Sequence, residues 1–185
     1  MPTALFLSPH LDDVAFSCGG TAARLSAAGW RCVVATAFTR SVPNPTGFAL
    51  ACQLDKGLSA DVDYMALRRA EDAAACAALG AEAVWLDFPE APHRGYHSAA
   101  ELFAGVKPHD AVYETLHTQL GDLCEEFRPG VIFTPQGLGN HADHLQLICA
   151  VYGLGPGEPV VWYRDTPYAI RDPHARPAPL IAGRE

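Results

Sequence analysis

Two short stretches hold the residue types that do chemistry. "PHLDD" contains His10, Asp12 and Asp13, and "HADH" contains His141, Asp143 and His144. Imidazole nitrogens and carboxylate oxygens are good zinc donors, and a catalytic zinc commonly takes three protein ligands and leaves one position for water. His10, Asp13 and His144 fill that role. Zinc lowers the pKa of the water it holds to about 7, which makes a nucleophile at neutral pH. Asp12 projects differently from its neighbour Asp13 and can take the proton from that water. His141 is left to stabilise the oxyanion of a tetrahedral intermediate or to protonate a leaving group. Asp143 can orient either histidine from behind. Iron or cobalt accepts the same donors, so the expected cofactor is Zn2+, with another divalent transition metal allowed. Taken singly, each residue has a plainer job. Asp12 and Asp13 would cap a helix, and each histidine would be a surface or hydrogen-bonded one.

The elements around these stretches decide between the two readings. "ALFLS" (4–8) reads as a buried strand, 15–29 as a helix, 31–38 as a second strand and 65–80 as a helix closed by Gly80. Strand 83–88, helix 110–127, strand 130–135, helix 142–153 and strand 159–164 follow. This alternation predicts an α/β fold. It is a Rossmann-like three-layer sandwich, with a mostly parallel sheet of about five strands and helices on both faces. Ligands bind such sheets beyond the carboxyl ends of the strands. His10, Asp12 and Asp13 follow the first strand, and His141, Asp143 and His144 follow the fourth, so both sets should meet on one rim. That shared address favours the metal over the caps. Segments 39–64 and 89–109 follow strands two and three. They read as irregular binding loops, the second with His93, Arg94, Tyr96 and His97 in solvent. Trp85 reads as a packing residue, and the glycine pair Gly19–Gly20 reads as room for close helix–sheet packing.

The chain has 185 residues, 49% of them hydrophobic and 18% charged, which suits one globular domain over 1–185 with an irregular tail at 171–185. Thirteen basic residues against 21 acidic ones give a net charge of −8. With no Lys/Arg run, nucleic acid is not an expected partner. No apolar stretch is long enough to span a bilayer, so no membrane is expected either. The six cysteines are scattered and read as reduced thiols, which places the protein in the cytoplasm. A homo-oligomer is compatible with all of this.

"SPHLDD" together with "HADH" resembles the paired signature of the PIG-L/LmbE-like deacetylases, P-H-x-D-D and H-x-D-H. "LRRAEDAAACAALGAEAVWLDFPE" (67–90), "VIFTP" and "WYRDTPY" (162–168) are similar to further family segments. The resemblance covers most of residues 4–168. It implies a Rossmann-like fold and zinc-dependent removal of an acyl group from the amine of an N-acetylglucosamine-like sugar, a small-molecule substrate. It also implies metal ligation by His10, Asp13 and His144, a general base at Asp12, an electrostatic helper at His141 and substrate contact by Arg68. A plainer reading of Arg68 is a surface pair with Glu71. The chain departs from the family with Leu11, Val14 and Ala142 inside the motifs. Some relatives place a Tyr just before the second motif, where this chain has Leu138, Gly139 and Asn140. Asn140 is the donor available there. Two other classes remain on the same fold. A nucleotide-binding oxidoreductase lacks its glycine fingerprint here. A non-catalytic sugar- or metal-binding module would differ only in turnover.

Overall fold

A computed structural model describes residues 1–154, 157 and 159–181. Its centre is a five-stranded sheet whose pairings are all parallel: β1 (Thr3–Ser8), β2 (Arg31–Thr36), β3 (Ala81–Trp85), β4 (Val131–Pro135) and β5 (Val160–Tyr163). The order is β3-β2-β1-β4-β5. From β1 the chain builds outward to β3, then returns to lay β4 on the other side of β1. The seam between β1 and β4 is therefore the switch point, where the crevice of such folds opens.

Period-two alternation divides the strands between two faces. Ala4, Phe6, Cys32 and Val34 face one way, into a core shared with α1 (Asp13–Ala27) and Cys76 of α3 (Tyr64–Leu79). Leu5, Leu7, Val33 and Ala35 face the other way, into a core closed by α5 (Val112–Phe127) and α6 (Ala142–Gly153). Fully burying one such aliphatic side chain is worth roughly 1.5–3 kcal/mol, so both layers hold the sheet firmly. Phe6 of β1 stacks on Phe133 of β4 at 4.5 Å across the seam.

Several boundaries differ from expectation. The third strand runs over 81–85, two residues early. Gly80, in the left-handed region at φ 68°, ends α3 at once and releases the chain into the sheet. A Cβ there would also stand 2.4 Å from Ser26 Oγ. After Trp85 the chain bends, and Asp87 bridges Phe38 in antiparallel fashion. Trp85 sits on this edge strand, 40% exposed, and donates from Nε1 to Asp72 at 2.8 Å instead of filling a core. Segment 39–64 is not irregular throughout, because α2 (Gly47–Asp55) forms within it. Segment 89–109 holds a 3-10 turn at Ala91–His93 and α4 (Ala99–Leu102). One more helical turn, α7 (Tyr168–Arg171), follows β5. Of the tail, residues 182–185 lie outside the described residues. Before them Ala178 and Ile181 are buried against Ile148 of α6. No described helix is long and apolar enough to cross a membrane. None of the six cysteines forms a disulfide.

Candidate active site

Both motifs stand at the carboxyl ends of β1 and β4, one on each side of the switch point. The chain leaves β1 in a tight turn that Ser8 organises. Its hydroxyl donates to the His10 carbonyl at 2.6 Å and accepts from Val14 N–H at 3.2 Å. Ser8 thus serves an early amide of α1, and Asp12 makes no side-chain cap. Asp13 turns back toward His10, accepting its backbone N–H at 2.9 Å. The capping role is therefore absent, and both carboxylates are free to face the rim.

Three donors converge there. His10 Nδ1 lies 3.2 Å from Asp13 Oδ2, and His144 Nε2 lies 3.4 Å from the same oxygen. Donor atoms of His10, Asp13 and His144 all lie within 4.8 Å of one another, a spacing that can hold a metal ion. Each imidazole is turned by a carboxylate behind it. Asp165, just past β5, meets His144 Nδ1 at 2.6 Å, and Asp143 meets His10 Nε2 at 3.0 Å. Such backing carboxylates are what ligand histidines require. His10, His141 and Asp143 also cluster within 4.8 Å. However, Asp143 is ion-paired to Arg94 at 2.8 Å, and His141 Nδ1 accepts Asp143 N–H at 3.1 Å. The first triad is the freer donor set, and two nitrogens with one carboxylate oxygen suit zinc.

The electrostatics fit a cation. Burial opposes charge on His10, but its bonds to Asp13 and Asp143 outweigh that and carry its pKa well above the usual imidazole value. Burial likewise opposes charge on His144, and Asp13 and Asp165 override it, to about 9. Asp13 is held well below the carboxylate range despite its burial, chiefly by His144 and His10. A divalent ion binding here would displace the imidazole protons. His141 goes the opposite way, pushed down to about 3 by burial and by the charge on His10. It is a neutral ring. Because Nδ1 accepts from the backbone, its proton sits on Nε2.

His10, Asp13 and His141 line a cleft of about 570 Å³, with His144 beside Asp13 beneath it. Asp12 lines it with its side chain half-exposed, and Arg68 reaches over from α3. Arg68 lies 3.4 Å from Asp12 and 2.7 Å from Glu90, so it does not make the expected surface pair with Glu71. Phe16, Phe103 and Tyr168 supply aromatic walls, Phe16 being 71% exposed. The Phe103 ring stands edge-on to His141 at 5.2 Å, and Tyr168 stands edge-on to His144 at 5.6 Å. Gly139, at φ 81°, permits this packing, since a Cβ there would come within 2.5 Å of the Tyr168 ring.

Asn140 is not brought to the cluster. Its Nδ2 donates to the Phe103 carbonyl at 3.3 Å, and it lines a neighbouring depression. The 89–109 segment also departs from a solvated loop. Tyr96 is fully buried, and Arg94 is buried among carboxylates. The motifs assign no role to Glu90, Arg94 or Asp165. Position alone marks Asp165 and Tyr168, just past the fifth strand, as pocket residues, and Arg94 as a loop residue open to substrate contact. Of the glycine pair, Gly19 packs against Leu79 of α3, with 3.4 Å to an added Cβ, whereas Gly20 faces open space.

Fold and site together define a Rossmann-like α/β protein with a His/Asp metal-type centre at its switch point. Residues 5–153 match the PIG-L family, described as GlcNAc-PI de-N-acetylase, and the chain belongs to that family. The 2'-N-acetylparomamine deacetylase of Streptomyces fradiae is 34% identical over 168 residues, which are 89% of this chain and 57% of that protein. The chain thus spans little more than half the length of this curated relative. Among solved structures, the A40926 pseudoaglycone deacetylase superposes with a TM-score of 0.82 at 27% identity, covering 95% of this chain and 69% of that one. A deacetylase–teicoplanin complex from teicoplanin biosynthesis gives a TM-score of 0.82 at 25% identity, over 91% and 72%.

Proposed function

We propose that this chain is a zinc-dependent hydrolase that removes an acetyl group from the amine of an N-acetylated amino sugar or glycoconjugate. The observation that carries this is the convergence of His10, Asp13 and His144, each histidine backed by a carboxylate, beneath a cleft that Asp12 and His141 also line. The substrate class follows the relatives, whose names specify deacetylation of 2'-N-acetylparomamine and of the A40926 pseudoaglycone. We read the cytoplasm as its compartment, in keeping with six cysteines that form no disulfide.

His10, Asp13 and His144 would hold zinc, which supplies Lewis acidity and lowers the pKa of water when bound. Asp12 takes the proton of the attacking water, held in place by the Arg68 guanidinium. His141, neutral and protonated on Nε2, donates a hydrogen bond to the acyl oxygen as negative charge develops there. With its low pKa it serves as this donor and not as a proton store. The proton on Asp12 then passes to the leaving nitrogen, the C–N bond breaks, and acetate and a free amine result. Phe16, Phe103 and Tyr168 offer ring faces to the apolar side of a sugar or aglycone.

The test is acetate release from 2'-N-acetylparomamine and from simple N-acetylglucosaminides, with chelated protein and after zinc is restored. Zinc-restored turnover on at least one of them is expected. Zinc-loaded protein that releases acetate from none of them overturns the reading.

A further inference from the structure

The geometry points to Arg94 as a positioning residue for the metal centre, acting through Asp143 on His10. This rests on the metal site proposed above. Arg94 comes from the segment after β3, far from either motif in sequence. Its guanidinium grips the Asp110 carboxylate with two bonds, Nε to Oδ1 at 3.1 Å and Nη2 to Oδ2 at 2.9 Å. Nη1 donates to the Pro89 carbonyl at 2.7 Å, and the planar group lies over the Phe38 ring at 4.8 Å. Asp110 is itself anchored, since its carbonyl accepts Gln146 Nε2 of α6 at 2.6 Å. The guanidinium thus has fixed neighbours on several sides.

From that position Nη2 reaches Asp143 Oδ1 at 2.8 Å. The other oxygen, Oδ2, accepts Ala91 N–H at 3.1 Å and meets His10 Nε2 at 3.0 Å. Oδ2 of this completely buried carboxylate is thus held by two bonds, while Oδ1, which has no hydrogen-bond partner, is held by the charge of the adjacent guanidinium. The consequence falls on His10. With Nε2 committed to Asp143, the ring must present Nδ1 toward Asp13 and the metal position. A guanidinium suits this task because its planar fork fixes it on Asp110 by two bonds while its charge stays beside Asp143, a combination a lysine ammonium cannot reproduce.

His144 supplies the contrast. Its carboxylate, Asp165, takes a backbone N–H from Leu138 at 3.3 Å on its second oxygen, with no guanidinium involved. Only the His10 side of the centre is steadied by a charged side chain from the loop that walls the cleft. Arg94 touches neither metal donor and lies behind the site.

The test is competitive titration of this chain with Zn2+ against a chromophoric chelator, alongside the nitrogen NMR signature of the His10 ring. Arg94→Met is expected to weaken zinc binding about 10- to 100-fold, the usual loss when a residue backing a ligand is removed. The His10 signal should change from a single tautomer to a mixture. Arg94→Lys, which keeps a cation beside Asp143 but loses the two-bond grip on Asp110, should recover only part of the affinity. A purely packing role would lower the melting temperature and leave zinc affinity intact. Folded Arg94→Met that binds zinc within about twofold of the parent would overturn the inference. Should Arg94→Met not fold, Asp110→Asn decides it: weaker zinc binding supports the relay, and unchanged affinity overturns it. Failure of the parent chain to bind zinc would instead remove the metal reading itself.

Discussion

The floor of the cleft and its rim are built on opposite terms. At and beneath the floor, Asp13, Asp143, His144 and Asp165 are buried, His10 is partly so, and they bond chiefly to one another. On the rim, Asp12, Phe16 and Phe103 keep much of their surface open. Floor residues sit at strand ends and a helix start, where both core layers fix the backbone. The rim includes loop and helix-surface positions with fewer constraints. The floor is therefore suited to holding an ion in one geometry. The rim is suited to a group that must exchange protons, and to a ligand that must enter and leave.

The strongest way to break this division is at the floor. His144→Ala should abolish stoichiometric zinc, measured by metal analysis. It should cut deacetylation by more than about 100-fold, beyond the loss expected for a residue that only backs a ligand. Asp12→Ala should keep its zinc and lose about 10²- to 10⁴-fold in kcat, the span of general-base catalysis. An Asp12→Ala protein with normal kcat would remove Asp12 from the mechanism.

Acidity offers a subtler contrast. The pKa of His144, raised to about 9, stabilises the metal-free fold fully below the unfolded value near 6.5. That contribution declines as pH rises toward and through 9, by up to about 1.4 kcal/mol per pH unit for one proton. Thermal melts of chelated protein should show Tm falling over this window. Zinc affinity should rise over the same window, because fewer protons must be displaced. A flat melting profile would mean that the floor histidine is not held as described. The smallest effect belongs to the rim. Phe16→Ala should raise KM roughly fivefold, about 1 kcal/mol for part of an aromatic ring's burial, with kcat and zinc content unchanged.

This division also explains how much the sequence disclosed. His10, Asp13 and His144 could be read because each follows a strand signalled by its own apolar run, and parallel topology gives every strand end the same address. Helix 142–153 matches α6 at both ends. By contrast, α2 escaped notice: it is nine residues long, follows a Pro-rich stretch and buries only Gln53. Arg68 was expected either at a substrate or beside Glu71. Its partners Asp12 and Glu90 come from other elements, and no periodicity reports such a pairing. Arg94 was lost the same way, because a charged residue in a loop reads as solvated unless its buried carboxylates are known. Asn140 has a local partner that its sequence neighbours do not disclose: it stands at φ 64°, and its amide donates to the Phe103 carbonyl.

The seam between β1 and β4 has a mechanical consequence. These strands meet through only three residue pairs, Ala4–Val131 to Phe6–Phe133, and more than half the chain is looped between them. An ion gripped by His10 and Asp13 on one side and His144 on the other would rivet that seam from its end. Closing so long a loop costs entropy that the rivet offsets only once the whole sheet is assembled. Loading would then register as slower hydrogen exchange in β1 and β4 together, so the ion would lock the assembled sheet as well as serve the chemistry.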